Sequence, residues 1–569
     1  MIRPPVCVWL ALPCLYLLLP PRATGAPDQA IGDPRPARVD ALFSAWDKPD
    51  SPGCVTGVME QGKLLFAKGY GLADTARGVP LSPDTVFDIA SMSKQFTAAN
   101  IGLLVLERKL ALTDDVRASF PELPIDAPVT IDELIHHASG LRDYAELNML
   151  RGVEPIDNKG VIALLARQKA LNFPPGSQTA YSNTNYVLLA ELVQRTTGKT
   201  LATFARERVF GPLKMQSTRY AGSVSADPAN LANSYVPAAG GKLIPVPRAI
   251  QTVGDGNLLT TVRDLARWDE NFYTHRVGGK ALIRMMRAPA TLTSGEHIPY
   301  GFGLMFDEYR GVPTEAHGGS YHGFRTELLR FPQQHFSISV LCNVATADAA
   351  GLAHQVADIY LGAALRPQPP PIAPPAEVKI DQQTLDAYAG EYVIQVNGQP
   401  HVLLFGRRGD RFFSQFFGEP AFELLPFSAT AFFPKTQDAR FVFERAKDGA
   451  VSSVTLHRAS GDLVARRNVA AASPEKLGEL AGIYYSEELD AHLRLEILDG
   501  HVIVNIGPER RFPLLQISAS RFVMPAGGTF EFRRGEAGRV SGFDYSSDRV
   551  RGLAFVGPAA VAGALARHH

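Results

Sequence analysis

A chain of 569 residues, 46% hydrophobic and 20% charged, is long enough for two to four domains with proper cores. Its composition excludes a disordered or fibrous protein. Lys plus Arg and Asp plus Glu both total 57 and no basic tract occurs, which argues against nucleic acid or an anionic membrane as partner.

The first residues read as an address. Arg3 precedes an apolar run from Val6 to Leu19, followed by Pro-Pro-Arg and the small residues Ala23 to Ala26. The run is short for a membrane span and its flanks suit a cleavable secretory signal. Residues 1–26 are therefore expected to leave, giving an exported protein, periplasmic or secreted, with no stable membrane span. Cys7 and Cys14 would leave with the signal. Cys54 and Cys342, both in strand-like runs, are expected as buried free thiols, although export would permit a bridge.

At residues 87–94, FDIASMSK runs from a strand-like stretch into a helix expected over Ser91 to Arg108, with Met92, Phe96, Ala99, Leu103 and Leu106 at alternating steps of four and three. Ser91 and Lys94 then lie one turn apart on one face. A serine hydroxyl is a weak nucleophile unless a base takes its proton and donors receive the developing charge. The positive helix end and burial would both disfavour charge on Lys94, allowing a neutral amine base. Ser-x-x-Lys alone is weak, since Ser473-Pro-Glu-Lys476 matches it too.

Farther on, Tyr181-Ser-Asn183 stands in the loop before a second helix, NYVLLAELVQRTTG, with Gly198 as its stop. His317-Gly318-Gly319 leads a glycine-rich strand-like segment, and FRTELLRFP and HFSISVLCNV look like neighbouring antiparallel strands. His322 borders this region and reads as a turn histidine. Adjacent His136 and His137 do not form a metal motif, and Gly198-Lys-Thr200 lacks the first glycine of a phosphate loop.

The proline-rich stretch 366–377 reads as a semi-rigid polyproline spacer. Beyond it come short alternating strands, including the hairpin LRLEILDGHVIVNI, which turns at Asp499-Gly500. This half repeats itself. Tyr388-Ala-Gly-Glu-Tyr392 answers to Leu480-Ala-Gly-Ile-Tyr484, and Phe441-Val-Phe443 to Phe530-Glu-Phe532. Two tandem β modules of about ninety residues, expected as barrels, account for both spacings. The expected division is 27–365 catalytic, 366–377 linker, and β-barrel domains over 378–470 and 471–569.

Ser-x-x-Lys, Tyr-x-Asn and His-x-Gly in that order resemble the penicillin-recognising serine hydrolases, which include class C β-lactamases, D-Ala-D-Ala carboxypeptidases, D-aminopeptidases and related esterases. The resemblance covers roughly residues 38–362 and extends to TIDELIHHASGL, VFGPLKMQST, GDGNLLTTVRDLARW and HGGSYHGF. It implies the serine β-lactamase/penicillin-binding fold, an α/β domain whose antiparallel sheet is flanked by helices, with the site in a cleft. It also implies Ser91 as acylated nucleophile, Lys94 as its base and Tyr181 as activator of the leaving group or deacylating water. Asn183, His317, Gly318 and Gly319 would position substrate, and the backbone N–H groups of Ser91 and Ser320 would form the oxyanion hole. No cofactor and no metal are implied.

One departure matters. Many family members have Lys-Thr-Gly or Lys-Ser-Gly where this chain has His-Gly-Gly, and a histidine is a poor clamp for a substrate carboxylate at pH 7. The variant, with two following barrels, looks like a D-aminopeptidase acting on short peptides or amides. The alternatives are a carboxylesterase or weak β-lactamase with the same residues, or a non-catalytic binding protein that retains the fold. The sequence leaves oligomeric state open, a homo-oligomer included. A barrel loop could also fold over the cleft, with Ser486–Asp490 and Pro525–Thr529 as candidates.

Overall fold

The computed structural model describes residues 33–558, apart from residues 154, 222–227, 250, 368–377, 397, 418–420, 435–438, 459–460, 470–473, 509, 526 and 536–537. The expected signal, most of the proline-rich spacer and Ser473 lie outside the described residues. Among those residues no helix is long and apolar enough to cross a membrane.

The α/β domain is built on a six-stranded antiparallel sheet. In spatial order its strands are Met305–Tyr309, Val312–Tyr321, Phe324–Phe331, Phe336–Cys342, Cys54–Glu60 and Lys63–Tyr70. Strands Cys54–Glu60 and Phe336–Cys342 are buried along nearly their whole length because both faces are covered. With side chains alternating at period two, Cys54, Val58, Ile338, Val340 and Cys342 enter the core under helices Arg35–Phe43 and Ala349–Leu361. Val55, Met59 and Leu341 enter the larger core beneath the helical lobe.

Cys54 and Cys342 are direct cross-strand partners and are joined by a disulfide, with Cα atoms 4.0 Å apart. This corrects the expectation of two free thiols. Each residue looks locally like any buried strand cysteine, and only the pairing of strands 288 residues apart brings the sulfurs together.

The helix expected at Ser91–Arg108 is a 3₁₀ turn, Ala90–Ser93, followed by an α-helix, Lys94–Leu106. Residues Lys94 to Leu104 are all buried, Gln95, Thr97 and Asn100 among them. This is no one-sided surface helix. It is the central rod of the lobe, enclosed by helices Asn183–Thr197, Leu201–Ala205 and Gly279–Met286. Helix Asn183–Thr197 stops, as expected, at Gly198 with φ of 72°.

The C-terminal half forms two closed eight-stranded barrels. The first runs from Gly390–Val396 to Leu463–Arg467 and closes through Tyr392 opposite Arg467; the second runs from Gly482–Ser486 to Leu553–Val556 and closes through Tyr485 opposite Val556. The sequence repeat has a packing basis. Tyr392 and Tyr484 are buried, and each donates its hydroxyl hydrogen bond, 2.9 Å, to the carbonyl four residues earlier, Tyr388 and Leu480. Phe443 and Phe532 face these tyrosines at 5.8 and 6.2 Å. The hairpin turns at Asp499-Gly500, both with positive φ, and buries Leu493 and Leu495.

The two barrels relate differently to the lobe. The first keeps its own core, whereas the core of the second is continuous with that of the lobe. At that junction the buried Arg142 guanidinium donates to Glu488 Oε2 at 2.6 Å and to the Arg551 carbonyl at 2.7 Å.

Candidate active site

Ser91 sits where three elements meet. Ala90, just before it, has φ of 48°, and its N–H donates to Asp88 Oδ1 at 2.9 Å. This holds a kink costly for a residue with a Cβ at the start of the Ser91 turn. The strand Val312–Tyr321 then passes close by. A Cβ on Gly319 would lie 2.2 Å from the Ile89 carbonyl oxygen and 3.1 Å from Ala90 Cβ, so only glycine lets strand and turn approach this closely. From the next strand Thr326 Oγ1 donates to the same Ile89 carbonyl at 3.0 Å.

Lys94 is fully buried one turn beyond Ser91. Its Nζ donates to Ser91 Oγ at 3.1 Å, Asn183 Oδ1 at 2.8 Å and the Asp255 carbonyl at 2.7 Å, which uses all three ammonium hydrogens. It also lies 4.9 Å from the Tyr181 ring centroid and 5.6 Å from that of Tyr186. Asn183 is fixed from behind by Asp143, whose Oδ2 accepts from both its backbone N–H, 2.8 Å, and its Nδ2, 3.1 Å. Asp143 also caps helix Tyr144–Arg151, so one carboxylate couples that helix start to the site.

The Tyr181 ring packs on His137 at 4.4 Å and faces His317 at 6.3 Å. His137 accepts the Ser182 N–H at Nδ1, and burial together with the nearby Lys94 charge keeps its pKa well below the usual value. His317 is buried between two partners: Nδ1 lies 2.7 Å from the Gly318 carbonyl and Nε2 3.2 Å from the Tyr300 hydroxyl. These contacts suit a neutral ring that donates from Nδ1 and accepts at Nε2. Burial first, and the Lys94 charge second, push its pKa down to about 4.

A cleft of about 430 Å³ opens over Ser91, with Asn183, Asp255, Ser320, His322 and Arg325 among its lining. The structure thus brings together Ser91, Lys94, Tyr181, Asn183 and the His317–Ser320 strand. Sequence reasoning missed Asp143, His137, Tyr300 and Asp255, which hold these groups from behind. His136-His137 drew attention only as a rejected metal pair. His322, expected as a turn residue, is at a hairpin turn and also borders the cleft.

The barrel segment seen against Tyr181 lies outside both expected loops. Ser486–Asp490 is engaged elsewhere: Glu488 pairs with Arg142, Glu487 with Lys169 and Asp490 with Arg167. The arrival comes from residues 547–552 of the second barrel. There the Arg549 guanidinium lies 5.2 Å over the Tyr181 ring and 3.7 Å from Asp143 Oδ2.

A serine at the cleft with a buried lysine behind it, beside a half-buried tyrosine and with an antiparallel strand along the other wall, defines a serine acyl-transfer site. The Beta-lactamase family model matches residues 39–361, and the chain belongs to that family of serine hydrolases. Among curated relatives, a D-aminopeptidase of Cereibacter sphaeroides is 28% identical over 89% of this chain and 96% of its own length. One of Brucella anthropi is 27% identical over 89% and 95%. Among solved structures, the octameric penicillin-binding protein homologue from Pyrococcus abyssi aligns over 76% of this chain and 99% of its own, at 21% identity and TM-score 0.55. A D-amino acid amidase from Ochrobactrum anthropi aligns over 58% and 99%, at 21% identity and TM-score 0.50. These structural likenesses bear on the fold.

Proposed function

We propose that the chain is an exported hydrolase that cleaves short peptides or amides through a Ser91 acyl-enzyme, with a D-residue or a small residue on the acyl side, in the manner of a D-aminopeptidase. The observation that carries the proposal is the chain of contacts from Ser91 Oγ to Lys94 Nζ and on to Asn183 at the floor of the cleft. Lys94, once neutral, takes the Ser91 proton as Oγ attacks the substrate carbonyl. The oxyanion is received by the Ser91 and Ser320 backbone N–H groups. Tyr181 passes a proton to the leaving amine, and later helps water to attack the acyl-enzyme. Lys94, Tyr181 and Ser91 share these protons as a coupled set.

Substrate choice follows from His317. Its proton is directed at Gly318, and at neutral pH it carries no charge with which to hold a carboxylate. This favours amides, esters and peptides read from the N-terminal side over penicillins and C-terminal D-Ala peptides. The D-aminopeptidase relatives support the same class. Export is supported by the N-terminal signal pattern and by a disulfide, which persists in oxidising compartments. The same reading assigns residues 27–365 to catalysis and 378–470 and 471–569 to the barrels.

The test is a panel of D- and L-amino-acid p-nitroanilides, p-nitrophenyl esters and nitrocefin, run on the parent and on Ser91→Ala. The parent should prefer D-amino-acid anilides, and the variant should lose turnover and fluorophosphonate labelling while keeping its melting temperature. Labelling that persisted in the variant would end the assignment of Ser91. Ester or nitrocefin turnover without anilide turnover would move the reading to a carboxylesterase or a weak β-lactamase.

A further inference from the structure

Arg325 is the second residue of the return strand of the hairpin that carries His317 and Ser320, and stands directly across from Ser320 in the antiparallel register. It lines the same cleft as Ser91. Its Nη1 donates to the carbonyls of His322 and Phe324, both at 2.8 Å. The Nε–Nη2 edge, which matches a carboxylate in two parallel hydrogen bonds, makes no hydrogen bond to a described residue. No carboxylate lies within ion-pair distance among the described residues. By contrast Arg142 is paired with Glu488, Arg330 with Asp269 and Arg248 with Asp88. Burial lowers the Arg325 pKa, with no acid nearby to oppose it. A partly desolvated guanidinium without a counter-ion, facing a cleft, is a receptor for an anion.

Its position says which part of the substrate carries that anion. Tyr181 faces His317 in the middle of the Ser320 strand, three residues before Ser320, and Arg325 lies at the hairpin end. If Tyr181 protonates the leaving amine, the leaving group occupies the His317 side and the acyl group extends toward Arg325. We propose that the Nε–Nη2 edge of Arg325 forms an acyl-side subsite for a carboxylate, so that the favoured substrates carry an acidic acyl residue, aspartyl- or glutamyl-like. The proposal rests on the Ser91 acyl-enzyme reading and names the substrate class of that site. The cationic subsite is separate from the His317 position, where the family's lysine is missing.

The experiment compares D-glutamyl and D-glutaminyl p-nitroanilides, which differ in charge and hardly in shape, on the parent and on Arg325→Gln. The parent should favour the acid by about tenfold in kcat/KM, as expected for a charge-assisted hydrogen bond at a partly exposed site. Arg325→Gln should bring that ratio to about one, through a loss on the D-glutamyl substrate. A parent ratio near one, or a variant that slows both substrates alike, overturns the subsite and leaves the acyl-enzyme reading standing. D-Alanyl-glycine and its amide place the charge on the leaving side, and an Arg325 effect confined to them overturns the acyl-side assignment. Should anilides prove inert, p-nitrophenyl hydrogen adipate and its carboxamide analogue give the same ratio. Absence of both labelling and turnover would sink the acyl-enzyme reading and the subsite with it.

Discussion

Gly319→Ala tests how the site is assembled. The added Cβ would fall 2.2 Å from the Ile89 carbonyl oxygen and 2.4 Å from Thr326 Oγ1. A carbon–oxygen contact settles near ~3.3 Å, so strand and turn must separate by about 1 Å. Overpacking of this kind costs about 1–3 kcal/mol of stability. The larger effect should be on rate, because that separation pulls the Ser320 N–H away from Ser91. A misplacement of about 1 Å can cost about 10²-fold in a reaction that depends on alignment. Gly318→Ala is the internal control, since its Cβ would meet the end of the Glu327 side chain at 2.7 Å and backbone only at 3.2 Å, the Thr326 carbonyl oxygen. Measured as kcat/KM and as the rate of fluorophosphonate labelling, Gly319→Ala should fall by about two orders of magnitude and Gly318→Ala by far less. Parent-like labelling in Gly319→Ala, or equal losses in both variants, would refute the idea that strand-to-turn packing positions the oxyanion donors.

Three further outcomes are expected. Arg549→Ala should widen the Tyr181 side of the cleft and raise relative activity on bulky leaving groups; an unchanged substrate profile would remove the second barrel from substrate selection. Glu327 is buried with no cation partner among the described residues, and burial, with Asp348 adding to it, raises its pKa to about 7. Because the folded state holds this proton more tightly than the unfolded chain, stability is greatest below about pH 4.5 and declines through pH 7, by about 3 kcal/mol for this group alone. Glu327→Gln should flatten that part of the stability–pH curve, and parallel curves for parent and variant would count against it. Removing the disulfide by Cys54→Ala with Cys342→Ala should lower stability by about 2–5 kcal/mol in a denaturant titration; no change in midpoint would show that the strands alone carry the constraint.

What could be read from the sequence, and what could not, divides by range. Ser91–Lys94, Tyr181–Asn183 and His317–Ser320 each announce themselves within a few residues, and the structure brings the three segments together. The barrels were legible through the Tyr392 and Tyr484 repeat, since each module needs the same tyrosine to close its core. Asp143, His137 and Arg549 were not legible. Their roles depend on which loop faces which, and a carboxylate that caps one helix while gripping Asn183 looks locally like any N-cap. The acidic run Ser486–Asp490 misled for the same reason. Its charges suit an exposed recognition loop, and only Arg142, Lys169 and Arg167, more than three hundred residues earlier, reveal that they are anchors.

The continuity between the second barrel and the helical lobe has a consequence for how the molecule comes apart. Cooperative units of melting are set by shared cores and need not follow chain order. Here the lobe and the C-terminal barrel should lose structure in one transition, while the first barrel, between them in sequence, melts separately. A protease that cuts inside the first barrel would therefore leave the flanking pieces associated, held by a common apolar interior and by the Arg142–Glu488 pair. Deleting the C-terminal barrel should do more harm than its position at the end of the chain suggests, because it strips the lobe of part of its own interior.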